Sequence, residues 1–530
     1  MKWAGCVDGR KKFRNAFDKR IRPIYKNRKI YFVKLRNHFS KVFGTTTWCL
    51  INPCSKLTRG SIMKIAFLHY HLKTGGVTTV LKRQVSALQG SCETLVLTGD
   101  RAGTVLPCRV VEIPGLTYDH PDIASPTPET TAGEILKALS HMWPGGCDLL
   151  HIHNPTLAKN QHFIRCIKQL QTSGVSIFLQ IHDFAEDGRP GVYSQEPYPA
   201  DCHYGVINTR DKAILLEAGL KPSGVHLIPN AIHFLPTTKG YFPDGLVLYP
   251  VRALRRKNIG EAVLLSLYLR AGQYIGVTLP PNSRSDMESY LDWGAFVKKH
   301  HLNVHFNMGL QHDFSALAGG ASSMITTSIA EGFGFSFLEP WTAGKILQGR
   351  RIEDICTDFE EKGLCLDSLY DTLEVPLEWF RADDFFQAWQ RTVLYAAGMY
   401  GKPIDPQSMH QYMARLADAG VIDFGNLNEH CQRQVLSYLL SNPEAGKHLL
   451  SLNPRLCSFT TENELSGMIE SNGRVVRAHY GMDTYGDQLF SIYMKVVHQP
   501  IRQHIDKPIL LDAFFDLDRF SLLKWGSYEG

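Results

Sequence analysis

Two carboxylates, Glu331 and Glu339, bracket the segment Glu331-Gly-Phe-Gly-Phe-Ser-Phe-Leu-Glu339. A Gly-x-Gly turn that opens a helix offers free backbone N–H groups, here those of Gly334, Phe335 and Ser336, to an anion such as phosphate. Carboxylates beside it can accept hydrogen bonds from sugar or ribose hydroxyls. Acids near a helix start are also favoured by the helix dipole, so this segment alone does not separate ligand binding from stability. A second segment, Pro250-Val-Arg-Ala-Leu-Arg-Arg-Lys-Asn258, supplies charge of the opposite sign. Arg252 leaves the end of an apolar run and Lys257 follows five positions later. Two fixed cations beyond the carboxyl end of a parallel strand can neutralise a diphosphate as its bond breaks. Arg255 and Arg256, between them, read as solvated neighbours.

A third segment, His69-Tyr-His-Leu-Lys-Thr-Gly-Gly-Val-Thr-Thr79, puts Gly75 and Gly76 between a strand and a helix, where backbone can approach a ligand closely. It is not Gly-x-Gly-x-x-Gly and lacks the Gly-Lys-Ser/Thr ending of a nucleoside triphosphatase loop, which weighs against nicotinamide and ATP. His182 ends a strand in Gln180-Ile-His-Asp-Phe184. His151 and His153 sit at alternating strand positions, with one expected to face a cleft and the other to pack. Asp183 reads as a loop-orienting or acceptor-contacting residue, and Asn230 as a structural turn.

Positioning such groups takes two open parallel sheets. From Met63, short apolar runs at 64–69, 94–97, 109–113, 149–153, 175–181 and 204–207 alternate with helical stretches at 77–88, 134–141, 157–171 and 209–218, the pattern of a parallel sheet covered on both faces. Prolines 229, 236 and 243 interrupt regular structure. The alternation then restarts with strands expected at 246–251, 274–278, 304–307 and 323–327, and helices at 260–270, 287–300 and 335–342. Beyond about residue 350 the strand signal fades into aromatic-rich helical segments, ending in 486–497. Trp379-Phe380 and Phe385-Phe386 read as core. The expected domains are 63–230, a linker at 231–245, 246–480 with a helical extension, and a helical tail at 481–530.

Taken in order, the Gly-Gly first loop, the Arg-x4-Lys pair and the Glu-x7-Glu pair resemble family 4 of the retaining glycosyltransferases, over roughly residues 63–350. That resemblance implies an α/β, GT-B fold of two facing Rossmann-like domains, an acceptor-side one and a nucleotide-sugar-binding one. It also implies transfer of a hexose from a nucleotide diphosphate sugar with retention of anomeric configuration. Arg252 and Lys257 would hold the donor diphosphate, Glu331 would contact the hexose and Glu339 the ribose. Gly76 would lie beside the pyrophosphate and acceptor, and His182 would meet the donor sugar near the reaction centre. The family has no clear metal-binding Asp-x-Asp, and no Cys/His metal cluster stands out, so neither metal nor cofactor beyond the donor is expected. The sequence departs from the family after Glu339, where Ala343-Gly-Lys-Ile-Leu-Gln-Gly-Arg-Arg351 replaces the usual Ala-Gly-Lys-Pro-Val. A phosphorylase or nucleotide-sugar epimerase of the same fold, and a catalytically silent sugar or nucleotide sensor, are the alternatives.

Bulk properties fit an enzyme of this size. With 44% hydrophobic and 20% charged residues, the 530-residue chain is neither disordered nor fibrous and is long enough for two large domains. No apolar run reaches the roughly 18–20 residues that span a bilayer. Twelve cysteines without a Cys-x-x-Cys pair read as reduced thiols of a cytoplasmic protein. Residues 1–62 carry 16 Lys or Arg against Asp8 and Asp18, a balance of +14 beside −8 for the remainder. Such an arm would attract anionic lipid or nucleic acid. Yet Met63-Lys-Ile-Ala-Phe-Leu-His69 opens directly into a strand, and we expect translation to begin there, with a disordered basic arm or a folded element as the other readings. The expected partners are a nucleotide sugar and a small-molecule or lipid-linked acceptor, with no nucleic acid.

Overall fold

A computed structural model describes residues 62–101, 103–122, 124–235, 245–456 and 466–526. The basic stretch 1–61 and most of the expected linker, 236–244, lie outside the described residues.

Seven parallel strands form the first sheet: β1 (Met63–His71), β2 (Cys92–Asp100), β3 (Arg109–Glu112), β4 (Leu149–His153), β5 (Ile177–Gln180), β6 (His203–Val206) and β7 (Val225–Leu227), in the order β3-β2-β1-β4-β5-β6-β7. The central strands are buried on both faces, with Ile65, Phe67, Leu150 and Ile152 out of contact with solvent, so their apolar runs are nearly continuous. Helices Gly76–Ala87, Pro128–Met142, Phe163–Thr172 and Thr209–Glu217 cover them. Pro128 at the first position and the Thr127 hydroxyl, which accepts from the Thr130 N–H, start the second of these.

The second sheet has six parallel strands: β8 (Leu246–Arg252), β9 (Tyr274–Leu279), β10 (Val304–His305), β11 (Ser323–Thr326), β12 (Leu347–Arg350) and β13 (Leu369–Tyr370), ordered β10-β9-β8-β11-β12-β13. Two facing Rossmann-like domains with a helical C-terminal region are the GT-B architecture expected. Strand order reverses between β1 and β4 in one sheet and between β8 and β11 in the other. Each reversal opens a crevice beyond the carboxyl ends of those strands.

Strands β7, β12 and β13 were not anticipated. In β12 the apolar pattern is broken by Gln348 and Arg350, both buried. Arg350 is accommodated because Glu261 (2.6 Å) and Asp423 (2.7 Å) take its guanidinium. Gly349 sits at φ +117°, and a Cβ there would meet the Thr326 carbonyl oxygen at 2.0 Å, so this strand crosses β11 only as glycine.

Trp379, Phe380 and Phe385 are buried in the core of the second domain, as expected, while Phe386 is partly buried against it; Trp389, also buried, stacks on Tyr412 at 4.5 Å. Each such side chain contributes on the order of 1.5–3 kcal/mol by burial. The chain then returns to the first domain through the helix Met482–His498. Gly486 allows close approach, since a Cβ there would meet the Ala87 carbonyl at 2.5 Å. Tyr485 Oη accepts from the Gln84 amide at 2.9 Å, and Tyr493 Oη bonds His151 Nδ1 at 2.7 Å. The last helix, Leu522–Trp525, touches both domains: Arg255 donates to the carbonyls of Leu522 and Gly526, while Lys524 pairs with Asp187.

Candidate functional site

The loops after β5 and β6 of the first sheet meet the loop after β11 of the second. His182 follows β5 directly, and its position is fixed by its neighbour strand. Asn154, in the left-handed region at φ 50°, turns its side-chain oxygen to accept from the N–H groups of His182 (2.7 Å) and Asp183 (3.2 Å). Asn tolerates that conformation better than most residues. From the other domain Gly332 presses on this loop, and a Cβ on it would meet the His182 carbonyl oxygen at 3.1 Å. The Asn208 amide donates to the Gly332 carbonyl at 2.9 Å. A cavity of about 360 Å³ lies here, lined by His182, Asp183 and Arg189 from the first domain, Arg256 and Glu331 from the second, and Lys524 and Trp525 from the C-terminal helix.

Glu331 is the most constrained group in the cavity wall. Lys257 Nζ pairs with its Oε1, and Arg256 Nη1 lies 3.5 Å from its Oε2. Burial alone would push this carboxyl up, but Lys257 and Arg256 outweigh it and hold it below its ordinary value. Burial draws the Lys257 ammonium down to about 8, against the opposing pull of Glu331. Tyr249 Oη and Thr327 Oγ1 both donate to the Lys257 carbonyl, at 2.5 and 3.0 Å, which locks the turn after β8 onto β11. Asp183 is held low against its burial by Arg189 and Arg256.

Arg255 and Arg256 are not the solvated neighbours expected. Arg255 is buried and forks onto Glu429. Arg256 donates to the Ala330 carbonyl at 2.8 Å and faces the cavity. The turn Arg255–Lys257 is a single 3-10 turn ending in left-handed Asn258; it sends Arg255 to Glu429 and brings Arg256 and Lys257 together on Glu331.

The other expected site residues do not line this cavity. Arg252 donates to the Pro280 carbonyl at 2.9 Å at the end of β8. Glu339 lies 3.8 Å from Arg83 of the first-domain helix, and burial pushes its carboxyl up to about 7. Arg83 also stacks on Phe335 at 5.0 Å and donates to the Ala231 carbonyl. Gly334 is left-handed at φ +85°, and the turn's own bonds begin at the Phe337 N–H, leaving the N–H groups of Phe335 and Ser336 unused by it. Ser336 Oγ is buried without a partner. Gly75 and Gly76 are exposed, and an added Cβ would meet nothing nearer than 3.8 Å, so packing does not demand glycine at either.

Arg83 and Arg189 were missed because nothing in their local sequence marks them; each acts through a partner distant in the chain or in a loop without a motif. His151 and His153 are both fully buried. Positions two apart on a strand share a face, so neither is left for the cleft. Asn230 is buried, its side-chain oxygen without a hydrogen-bond partner.

No family model matches the chain. Mannosylglucosyl-3-phosphoglycerate synthase of Petrotoga mobilis is 26% identical over 350 residues, 58% of this chain and 68% of that protein. Among solved structures, sucrose-phosphate synthase of Thermosynechococcus elongatus aligns with a TM-score of 0.48 and 14% identity over 82% of this chain and 98% of its own. Anabaena HepE in complex with UDP-glucose aligns at 0.47 and 13% over 81% and 98%. A glycosyltransferase of Rickettsia africae aligns at 0.49 and 10% over 82% and 99%. Among the described residues no helix is long and apolar enough to cross a membrane.

Proposed function

We propose that this protein is a glycosyltransferase that moves a hexose from a nucleotide diphosphate sugar to an anionic small-molecule acceptor, retaining the anomeric configuration. The observation that carries this reading is the meeting of His182 and an ionised Glu331 across one cavity, beyond the carboxyl ends of two facing parallel sheets. A carboxylate kept charged by Lys257 and Arg256 accepts hydrogen bonds from hexose hydroxyls without taking a proton from them. Lys257 and Arg252, on the turn and strand end beside it, are assigned to the donor diphosphate, whose negative charge grows as the bond to C1 breaks. In the front-face displacement we favour, the C1–oxygen bond to the diphosphate breaks and a C1–oxygen bond to the acceptor forms on the same face. The acceptor's hydroxyl proton passes to the departing phosphate oxygen. Glu339 and the turn at Gly334–Ser336 are assigned to ribose and phosphate, and Gly75 and Gly76 to the close approach of donor and acceptor.

The acceptor class rests on Arg189 and Arg256, which flank Asp183 at the cavity, and on the relative's name, which describes the making of a mannosylated, glucosylated phosphoglycerate. The described cysteines are free thiols, which suits the cytoplasm as the place of action. The test is a thermal-shift screen of UDP, GDP, ADP and their hexose conjugates, followed by transfer assays with glucosyl-phosphoglycerate as first acceptor. A ligand at about 100 times its dissociation constant adds about 2.7 kcal/mol of apparent stability. Selective stabilisation by one nucleotide and inverted stereochemistry at C1 would overturn retention alone; no response to any nucleotide would overturn the whole reading.

A further inference from the structure

Behind His182 stands a second imidazole. His153 Nδ1 and His182 Nε2 are 2.9 Å apart, in a buried setting. The rings are nearly coplanar, 19° apart, with centroids at 5.2 Å, so they meet edge to edge through one in-plane hydrogen bond and not face to face. Of those two nitrogens one donates and the other accepts, and each neutral imidazole carries a single N–H.

The remaining atoms decide the direction. His153 Nε2 is buried with no hydrogen-bond partner. Were His182 Nε2 the donor, His153 would have to carry its proton on Nε2, leaving an N–H buried with nothing to accept it. With His153 Nδ1–H as the donor, the unpartnered atom is only a lone pair, a much smaller fault in a protein interior. His182 then accepts at Nε2 and carries its own proton on Nδ1, the nitrogen left for the cavity that its ring borders. Burial pushes both imidazoles down, His182 to about 4, which removes a shared extra proton as an alternative near neutrality.

We propose that His153 is a positioning residue that fixes the tautomer of His182, so that His182 presents an Nδ1–H donor to the cleft and does not serve there as a proton acceptor. The part played by that donor, a hydrogen bond to a donor-sugar hydroxyl or a leaving-group oxygen, rests on the function proposed above; the tautomer does not. His153 is held in turn by strand β4, its ring packed against the near-parallel ring of His151 at 4.5 Å and against Phe67 at 6.2 Å. Its role is therefore built into the sheet and does not wait for ligand.

The deciding experiment is two-bond 15N–1H correlation spectroscopy of the full-length, 15N-histidine-labelled protein near pH 7.5, with His182→Asn assigning the resonance. A neutral Nδ1–H pattern for His182 is expected, and a neutral Nε2–H or doubly protonated pattern would overturn the proposal whether or not the protein transfers sugar. Once a donor is known, His182→Asn, whose amide places an N–H near the Nδ1 position, should keep turnover at least tenfold above His182→Asp, which there can only accept. Equal losses would overturn the donor role. His153→Asn, which retains a donor towards His182, should likewise exceed His153→Phe by about tenfold or more in kcat with little change in KM, in the range seen when an orienting partner is lost. Equal kcat in those two variants, both folded, would overturn the positioning role. Failure of all nucleotide binding would instead fall on the proposed function, since the spectrum is read without ligand.

Discussion

Lys257 and Glu331, 74 positions apart in the chain, form an ion pair that is almost wholly shielded from solvent, with Arg256 at the second carboxylate oxygen. Such a pair is costly to break from one side, because the remaining charge is left buried. Lys257→Ala should lower unfolding stability by about 3–5 kcal/mol in urea melts. The double variant Lys257→Ala/Glu331→Ala should lose less than the sum of the two single changes, by about 0.5–3 kcal/mol. Additive losses would mean that Arg256 alone satisfies Glu331.

Arg252 is a different kind of cation. It holds only a strand-end carbonyl, at Pro280, among its described hydrogen bonds. Arg252→Ala should therefore leave the melting temperature of the free protein nearly unchanged while abolishing stabilisation by nucleotide. Turnover should fall by about 10²–10³, the usual cost of removing one stabilising contact to a developing charge. Unchanged turnover would move the diphosphate site away from the end of β8.

The exposed glycine pair allows the opposite separation of stability from binding. Gly76 begins a helix and has open space where a Cβ would stand. Gly76→Ala should leave stability unchanged or raise it by about 0.4–1 kcal/mol, since alanine restricts the unfolded chain more than glycine does. Donor affinity should drop at the same time, measured by titration calorimetry. Full affinity in the variant would show that the ligand does not approach the backbone of this loop.

Asp211 offers a pH-dependent test of the fold. It is buried within the first-domain helix start, where Asn208 caps it, and burial together with the nearby charge of Asp187 pushes its carboxyl up to about 7. The folded protein thus binds a proton that the unfolded chain releases near pH 4. Stability from this group is complete below about 4 and is lost as pH rises through 7. Asp211→Asn should flatten, though not abolish, the fall in melting temperature between pH 5 and 7.5, because Glu339 is raised in the same window. An unchanged slope would remove Asp211 as its source.

The parts of this arrangement that could be read from residue order were those with local signals. The glycines of the first loop, the strand ending in Arg252 and the turn at Gly334 each interrupt an apolar run in a recognisable way, and β1 and β8 announce themselves as continuous buried strands. What could not be read was pairing. Arg255, like Arg256, looked like a solvated neighbour of the two expected site cations until Glu429, 174 positions on, was seen to enclose it. Strand β12 was hidden because Arg350 is tolerable in a central strand only when Glu261 and Asp423 are already beside it. Two histidines on β4 looked divided between cleft and core, whereas the alternation of a strand sends positions two apart to the same side.

The return of the chain through Met482–His498 to Trp525 sets an order of events during synthesis. Domains fold as units from the N-terminal end as the polypeptide emerges, so the first sheet can form while the second is still being made. Its helix Gly76–Ala87, however, stays uncovered on the face later taken by Tyr485, and His151 lacks Tyr493 until the tail has been translated. The wall that Lys524 and Trp525 give the cleft is made after both sheets. A nascent chain therefore carries both halves of the cavity wall before it carries the helix that spans them.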